Sequence, residues 1–243
     1  SIIEKPKEPC SAPVSTGIFA LNRSVFDYIQ DDSDIPAVIN RMIGAGISFK
    51  AVQVQGPWLD IVYPWDILNL NEYLLESIRP NICGVMEEGC YIKGTAVIGD
   101  SSFIHSGTYI NGPVIIGKNC IIGPYAVIGP GVTLGDNVKV KPFSVIENCV
   151  IGNDVCMGPE AIMQDTVIDS GCKIGAGFNA ASGNAEIYLA GEIFQLEAGV
   201  MIGSNCRISS GVTALPGSIV GNSCRIEAQK VINGAVPDGG LVM

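Results

Sequence analysis

Residues 98–129 read IGDSSFIHSGTYINGPVIIGKNCIIGPYAVIG, and an aliphatic residue returns there at every sixth position. Extended in both directions, the beat runs through Met86, Ile92, Ile98, Ile104, Ile110, Ile116, Ile122, Ile128, Leu134, Val140 and Ile146 without a miss. The register then slips by one to Ile151, Met157 and Met163 and resumes at Ile168 and Ile174. After an interruption it returns at Ile202, Ile208, Val220, Ile226 and Ile232, with Ala214 as the weak member. Glycine often follows the marker, as at Gly99, Gly117, Gly123, Gly129, Gly135, Gly203 and Gly221. Six is no helical period. It suits a short strand plus a corner, three of which close a triangular coil of about 18 residues. The marker then points inward and stacks on its equivalent about 4.8 Å along the axis. A single coil leaves an apolar face open, and stacking buries it. The sequence therefore predicts a mainly β chain, a parallel β-helix of about eight coils over 86–235, roughly 40 Å long. The interruption at 176–200 reads as a loop followed by an Ile187–Leu196 hairpin.

Composition narrows the function. The 243 residues are 47% hydrophobic and 16% charged, too apolar for a disordered chain. Lys and Arg number 14 against 24 Asp and Glu, a net charge of −10 with no basic block, which argues against nucleic acid or an anionic membrane as partner. No apolar stretch approaches about 18 residues and no signal-peptide pattern occurs. Nine cysteines without a CxxC pair, and one histidine, exclude a multi-histidine zinc site and point to reduced thiols in the cytoplasm. Cys90, Cys120, Cys172, Cys206 and Cys224 each stand four positions after a marker, a shared phase that reads as small buried packing residues.

The hexad is missing before about residue 82. Val14–Leu21 reads as a buried strand, Ser24–Ile29 as a short helix, and Asp34 as the cap of a helix through Met42 ending near Gly44 and Gly46. Phe49–Val54 alternates like a strand. Pro64 fits the first turn of a helix running to about Ser77. Two domains are expected, an α/β piece at 1–80 and the β-helix at 81–243.

The hexad resembles the hexapeptide-repeat family of left-handed parallel β-helices, and the handedness is implied by that resemblance alone. Members assemble as trimers of side-by-side prisms, which implies a homotrimer here. Glu4-Lys5-Pro6, Ser15-Thr16-Gly17-Ile18-Phe19, Trp58-Leu59-Asp60 and Pro64-Trp65-Asp66, in this order, are similar to the C-terminal part of a sugar-1-phosphate nucleotidylyltransferase domain. Joined to the β-helix, they resemble archaeal bifunctional nucleotidylyltransferase/acetyltransferase proteins. Ser1-Ile2-Ile3 opens as if inside a strand, and the glycine-rich nucleotide loop of that family is not found, so a fragment inactive by itself is expected. The resemblance implies a sugar phosphate and a nucleotide as substrates and Mg²⁺ in the full-length parent. Glu4, Lys5 and Gly17 would bind substrate, Glu4 at sugar hydroxyls and Lys5 at phosphate. Asp60 would be the metal ligand. Ser15 stands where members selective for N-acetylated sugars often carry Asn.

Acetyl transfer from acetyl-CoA to glucosamine 1-phosphate is the alternative, and a purely structural oligomerisation module is a third reading. The resemblance places Pro159 and Ile162 where the acetyltransferase histidine and tyrosine stand; Asp165 matches, Gly129 replaces an arginine, and Lys141 retains a lysine. Glu186, Glu192 and Glu197 make the excursion acidic, unfavourable to an anionic cofactor. His105, the one imidazole, follows a marker and is expected at an exposed corner, a candidate base only under the alternative. Arg207 and Arg225, 18 residues apart, are expected to stack on successive coils, gripping an anion or pairing with glutamates across a trimer seam.

Overall fold

The structure, a computed structural model, describes residues 2–3, 14–30, 34–180, 182–189 and 191–243. By internal contacts the chain divides into two units, Ser1–Leu59 and Asp60–Met243. This division lies ahead of the 80/81 boundary expected from sequence, because the segment after Asp60 packs on the β-helix.

In the first unit, Arg23–Tyr28 forms a 3₁₀ helix and Ile35–Gly44 forms α1. Asp34 caps α1 by accepting from the Ala37 amide at 2.6 Å, and Pro36 sits in the first turn, where its missing N–H costs nothing. Val38 and Met42 meet Val25, with Leu21, Tyr28 and Ile47 around them. The two strands expected here do not form. Val14 and Ile18 are each 81% exposed, and Val52 and Val54 are exposed in turn. Alternation alone makes no strand: a ladder partner must satisfy the backbone, and the described residues of this unit supply none.

The second unit is the β-helix. Its first sheet has nine parallel strands from Asn81–Ile82 to Ala235–Val236, its second nine from Val85–Met86 to Leu241–Val242, and its third eight from Tyr91–Lys93 to Val231–Ile232. That makes about nine coils. The count exceeds the expected eight because strands at both ends, outside the unbroken beat, join the ladders. Every marker from Ile98 to Ile146 is buried, forming one continuous aliphatic column. The slip in the beat is a shortening of two coils. Leu134 pairs with Ile151 and Ile151 with Ile168, and the corners are taken tightly by Asn148 and Asp165, both at φ 46°. Glycine follows the marker because coils touch there. A Cβ on Gly99 would lie 2.6 Å from the Gly117 carbonyl oxygen, and one on Gly117 would lie 2.5 Å from that of Gly135.

The interruption is narrower than expected. The ladder continues through Asn179–Ala180, an antiparallel hairpin of Gly183–Leu189 and Glu192–Ala198 leaves it, and Met201–Ile202 resumes. The hairpin turns Ile187 inward against Gly217 and sets Phe194 on the rings of Tyr63 and Trp65. Next to those rings α2 (Asp66–Leu75) lies against the first sheet. The Asn71 side chain donates to the Gly131 carbonyl at 2.8 Å and accepts from the Thr133 hydroxyl at 2.6 Å. Asp66 fixes the approach by accepting from the Val62 and Tyr63 amides. Among the described residues no helix is long and apolar enough to cross a membrane.

Candidate functional site

Glu4 and Lys5 lie outside the described residues. Gly17 has a φ of 74°, and its amide donates to the Ser15 hydroxyl at 3.2 Å, a local turn that only glycine adopts freely. Asp60, in the other unit, is exposed. Mg²⁺ retains several waters and is held by more than one oxygen group. Among the described residues no cluster of three or more His, Cys, Asp or Glu side chains gathers to hold a metal ion. Asp60 as it stands does not make such a site.

His105 is not a bare corner residue. Its Nδ1 lies 3.4 Å from a carboxylate oxygen of Glu87, one coil earlier, while the other oxygen of Glu87 accepts from the Ser106 amide at 2.7 Å. Phe103 meets the imidazole edge-on. The Ser106 amide first, and His105 after it, hold the Glu87 carboxyl below its ordinary value. A carboxylate beside Nδ1 favours the proton on that nitrogen, which leaves Nε2 as the one able to accept. Sequence reasoning missed Glu87, although a spacing of one coil in front of the only histidine is a readable signal.

Lys141 is exposed and stands two residues beyond Lys139 on the second sheet. Arg207 and Arg225 are in-register neighbours, as expected from their spacing. The ladder is longer than sequence reasoning found. Lys139, Cys156, Lys173, Arg207 and Arg225 occupy five successive outward positions. Arg225 pairs with Glu227 along its own strand at 2.9 Å. Asp165 accepts from the Asn148 side chain at the tight corner. It lines a cavity of about 140 Å³ together with Trp65, Asn69, Glu197 and Met201. A depression of about 400 Å³ lies on the hairpin, lined by Asn184, Glu186, Gln195 and Glu197.

Four of the cysteines pack corners of the coils. Cys120, Cys172, Cys206 and Cys224 are buried, and each thiol donates to a carbonyl of the next coil, at Gly135, Gly203, Gly221 and Pro237 respectively, over 3.0–3.1 Å. Ser102 and Ser218 make the equivalent bond with a hydroxyl. Burial pushes Cys120 and Cys224 up and Cys149 up to about 12, so these groups remain thiols at neutral pH.

Residues 95–130 and 113–148 match the family described as bacterial transferase hexapeptide (six repeats). The chain is 30% identical over 95% of its length to the bifunctional protein GlmU of Methanocaldococcus jannaschii, covering 60% of that protein. It is 31% identical over 96% of its length to the bifunctional sugar-1-phosphate nucleotidylyltransferase/acetyltransferase of Sulfurisphaera tokodaii, covering 62% of it. The chain thus spans about three-fifths of these relatives. Among solved structures, LpxA, a UDP-N-acetylglucosamine acyltransferase from Bacteroides fragilis, overlays with a TM-score of 0.42 at 17% identity, covering 65% of this chain and 68% of that one. With its aliphatic hexads, its three parallel ladders and this similarity along nearly its whole length, the chain is a parallel β-helix that carries hexapeptide repeats over residues 95–148 and is similar to the archaeal GlmU-like bifunctional proteins.

Proposed function

We propose that the chain is part of a cytoplasmic sugar-1-phosphate nucleotidylyltransferase, with residues 1–80 derived from the catalytic domain and the β-helix acting chiefly in homotrimer assembly. The observation that carries the proposal is the similarity along 96% of the chain to a protein of Sulfurisphaera tokodaii that bears that activity in its name. In such a reaction a phosphate oxygen of the sugar 1-phosphate attacks the α-phosphorus of a nucleoside triphosphate in line. A new P–O bond forms, the bond to the β-phosphate breaks, and pyrophosphate leaves. Glu4 and Lys5 would orient the sugar phosphate, with Gly17 allowing close approach of backbone. The 243 residues alone are inactive on this reading. Incubation with a nucleoside triphosphate and sugar 1-phosphates tests it: sugar nucleotide formed by this chain contradicts the assignment of inactivity, whereas its formation only by the longer protein supports the whole reading.

Acetyl transfer to glucosamine 1-phosphate is the second reading, favoured by one observation, the Glu87-oriented imidazole of His105. The amine nitrogen would attack the thioester carbonyl of acetyl-CoA, His105 Nε2 would take the amine proton, and the coenzyme A thiol would leave. Labelled acetyl-CoA distinguishes the two. Acetylated product lost in His105→Asn would replace the scaffold role assigned to the β-helix; its absence leaves that role standing.

A further inference from the structure

Lys173, Arg207 and Arg225 pair in register on successive coils of the second sheet. The residue before each is a cysteine, so Cys172, Cys206 and Cys224 stack inside the corner while the cations stack outside. All three thiols are buried, and that of Cys206 meets those of Cys172 and Cys224. The same column holds Ser102, Cys120, Val138 and Val155 in earlier coils. A hydroxyl or two methyl groups therefore serve the corner equally well, and packing alone does not call for sulfur in consecutive coils.

We propose that Cys172 and Cys206 bind a single soft monovalent d10 cation of the Cu(I) type, two-coordinate, between adjacent coils. Spacing selects that ion. In-register residues of neighbouring coils lie about 4.8 Å apart, and two metal–sulfur bonds of about 2.3 Å in line span about 4.6 Å. A disulfide draws its Cβ atoms to about 3.8 Å, closer than the ladder holds them. Structural zinc takes four ligands in a tetrahedron. A column of thiols does not converge on one point, and among the described residues no group of three or more His, Cys, Asp or Glu side chains does. Thiolate is the ligand that soft ions prefer. Each thiol releases its proton as its metal–sulfur bond forms, and the resulting bis-thiolate complex carries one negative charge. Lys173 and Arg207, next in the chain to the two sulfurs, offset that charge. Among the described residues no carboxylate lies within 4.0 Å of either. Cys224 is the poorer partner because Arg225 is already paired with Glu227.

The test offers Cu(I) to the full, reduced 243-residue chain without oxygen, in competition with a Cu(I) chelator. Loading is done into the folded chain and again during refolding from urea, so that slow entry into a buried corner does not pass for absence. One ion per chain should be retained, with a raised melting temperature, and X-ray absorption should show two sulfur neighbours. Cys172→Ser and Cys206→Ser should each weaken retention by about a hundredfold or more and abolish the melting shift. Cys120→Ser, in the same column with no sulfur beside it, should change retention by no more than about twofold. Unchanged melting of the metal-free variants shows that they fold. Zn(II) should not be retained. Copper lost to the chelator under both loadings, or held equally well by Cys206→Ser, would overturn the proposal. So would Zn(II) held more tightly than Cu(I), or a spectrum with three or more sulfur neighbours.

Discussion

Cys206 shows why small polar side chains recur four positions after a marker. Its thiol sits inside a corner and donates to the Gly221 carbonyl at 3.0 Å, a bond that Ser102 makes to Gly117 with a hydroxyl at 2.7 Å. Shape and a donor are what the position requires. Cys206→Ser should therefore stay within about 1 kcal/mol of the parent in chemical denaturation, whereas Cys206→Ala loses the bond and opens a small void for about 1–2 kcal/mol. Glu87 offers a second test at this scale. Its carboxyl is held below the ordinary value by the Ser106 amide and then by His105. A depressed carboxyl contributes stability that is complete above its unfolded value and is lost as pH falls through the folded one. Melting temperature should thus decline on acidification below about pH 5, and Glu87→Gln should remove that part of the decline; an NMR titration of the Glu87 carboxyl checks the direction directly.

At the scale of elements, the second unit depends on how α2 is fastened to the coils. Asn71 is 7% exposed and spends both ends of its amide on the β-helix, the nitrogen on Gly131 and the oxygen on Thr133. Asn71→Leu keeps approximate volume but strands the carbonyl and hydroxyl it served, so a loss of about 1–3 kcal/mol is expected. Hydrogen exchange should quicken in Asp66–Leu75 and leave the central coils protected. The column of markers was legible because inward positions repeat with a fixed period and nothing else competes for them. Asp34 was legible as a cap because its role is local. Val14–Leu21 and Phe49–Val54 misled because strand pattern carries no information about a partner, and Asn71 was silent because its partners lie sixty and more residues away. The candidate sites divide the same way. Arg207 over Arg225 follows from an 18-residue spacing, but Lys139 and Lys173 join the line only once the shortened coils and the hairpin are counted, and Glu87 becomes a partner only when coils stack.

For the molecule as a whole, the three faces of the prism differ in what they leave uncovered. The middle of the first face is occupied by α2 and the hairpin, with Met201 buried beneath them. The second face turns from Val85, Phe103 and Ile121 to the cationic line. The third presents Tyr91, Tyr109, Val127, Val145 and Ile162 in register, an uncharged outward ladder with Tyr91 stacked on Tyr109 at 5.6 Å. Ile162 is 45% exposed and Val127 37%. Apolar side chains repeated along a flat sheet favour a second surface over water, and the proposed trimer would bury them. A closed three-fold ring pairs unlike patches, so each copy contributes this face once. The double variant Val127→Lys/Ile162→Lys places like charges two coils apart on that seam without touching the inward column. Sedimentation of the parent should give about three times the 25.5 kDa chain mass, and the variant should sediment as a single chain with an unchanged β spectrum. A parent that is monomeric throughout the accessible concentration range would leave the third face without its assigned partner, and the β-helix without the assembly role that the function proposed for it requires.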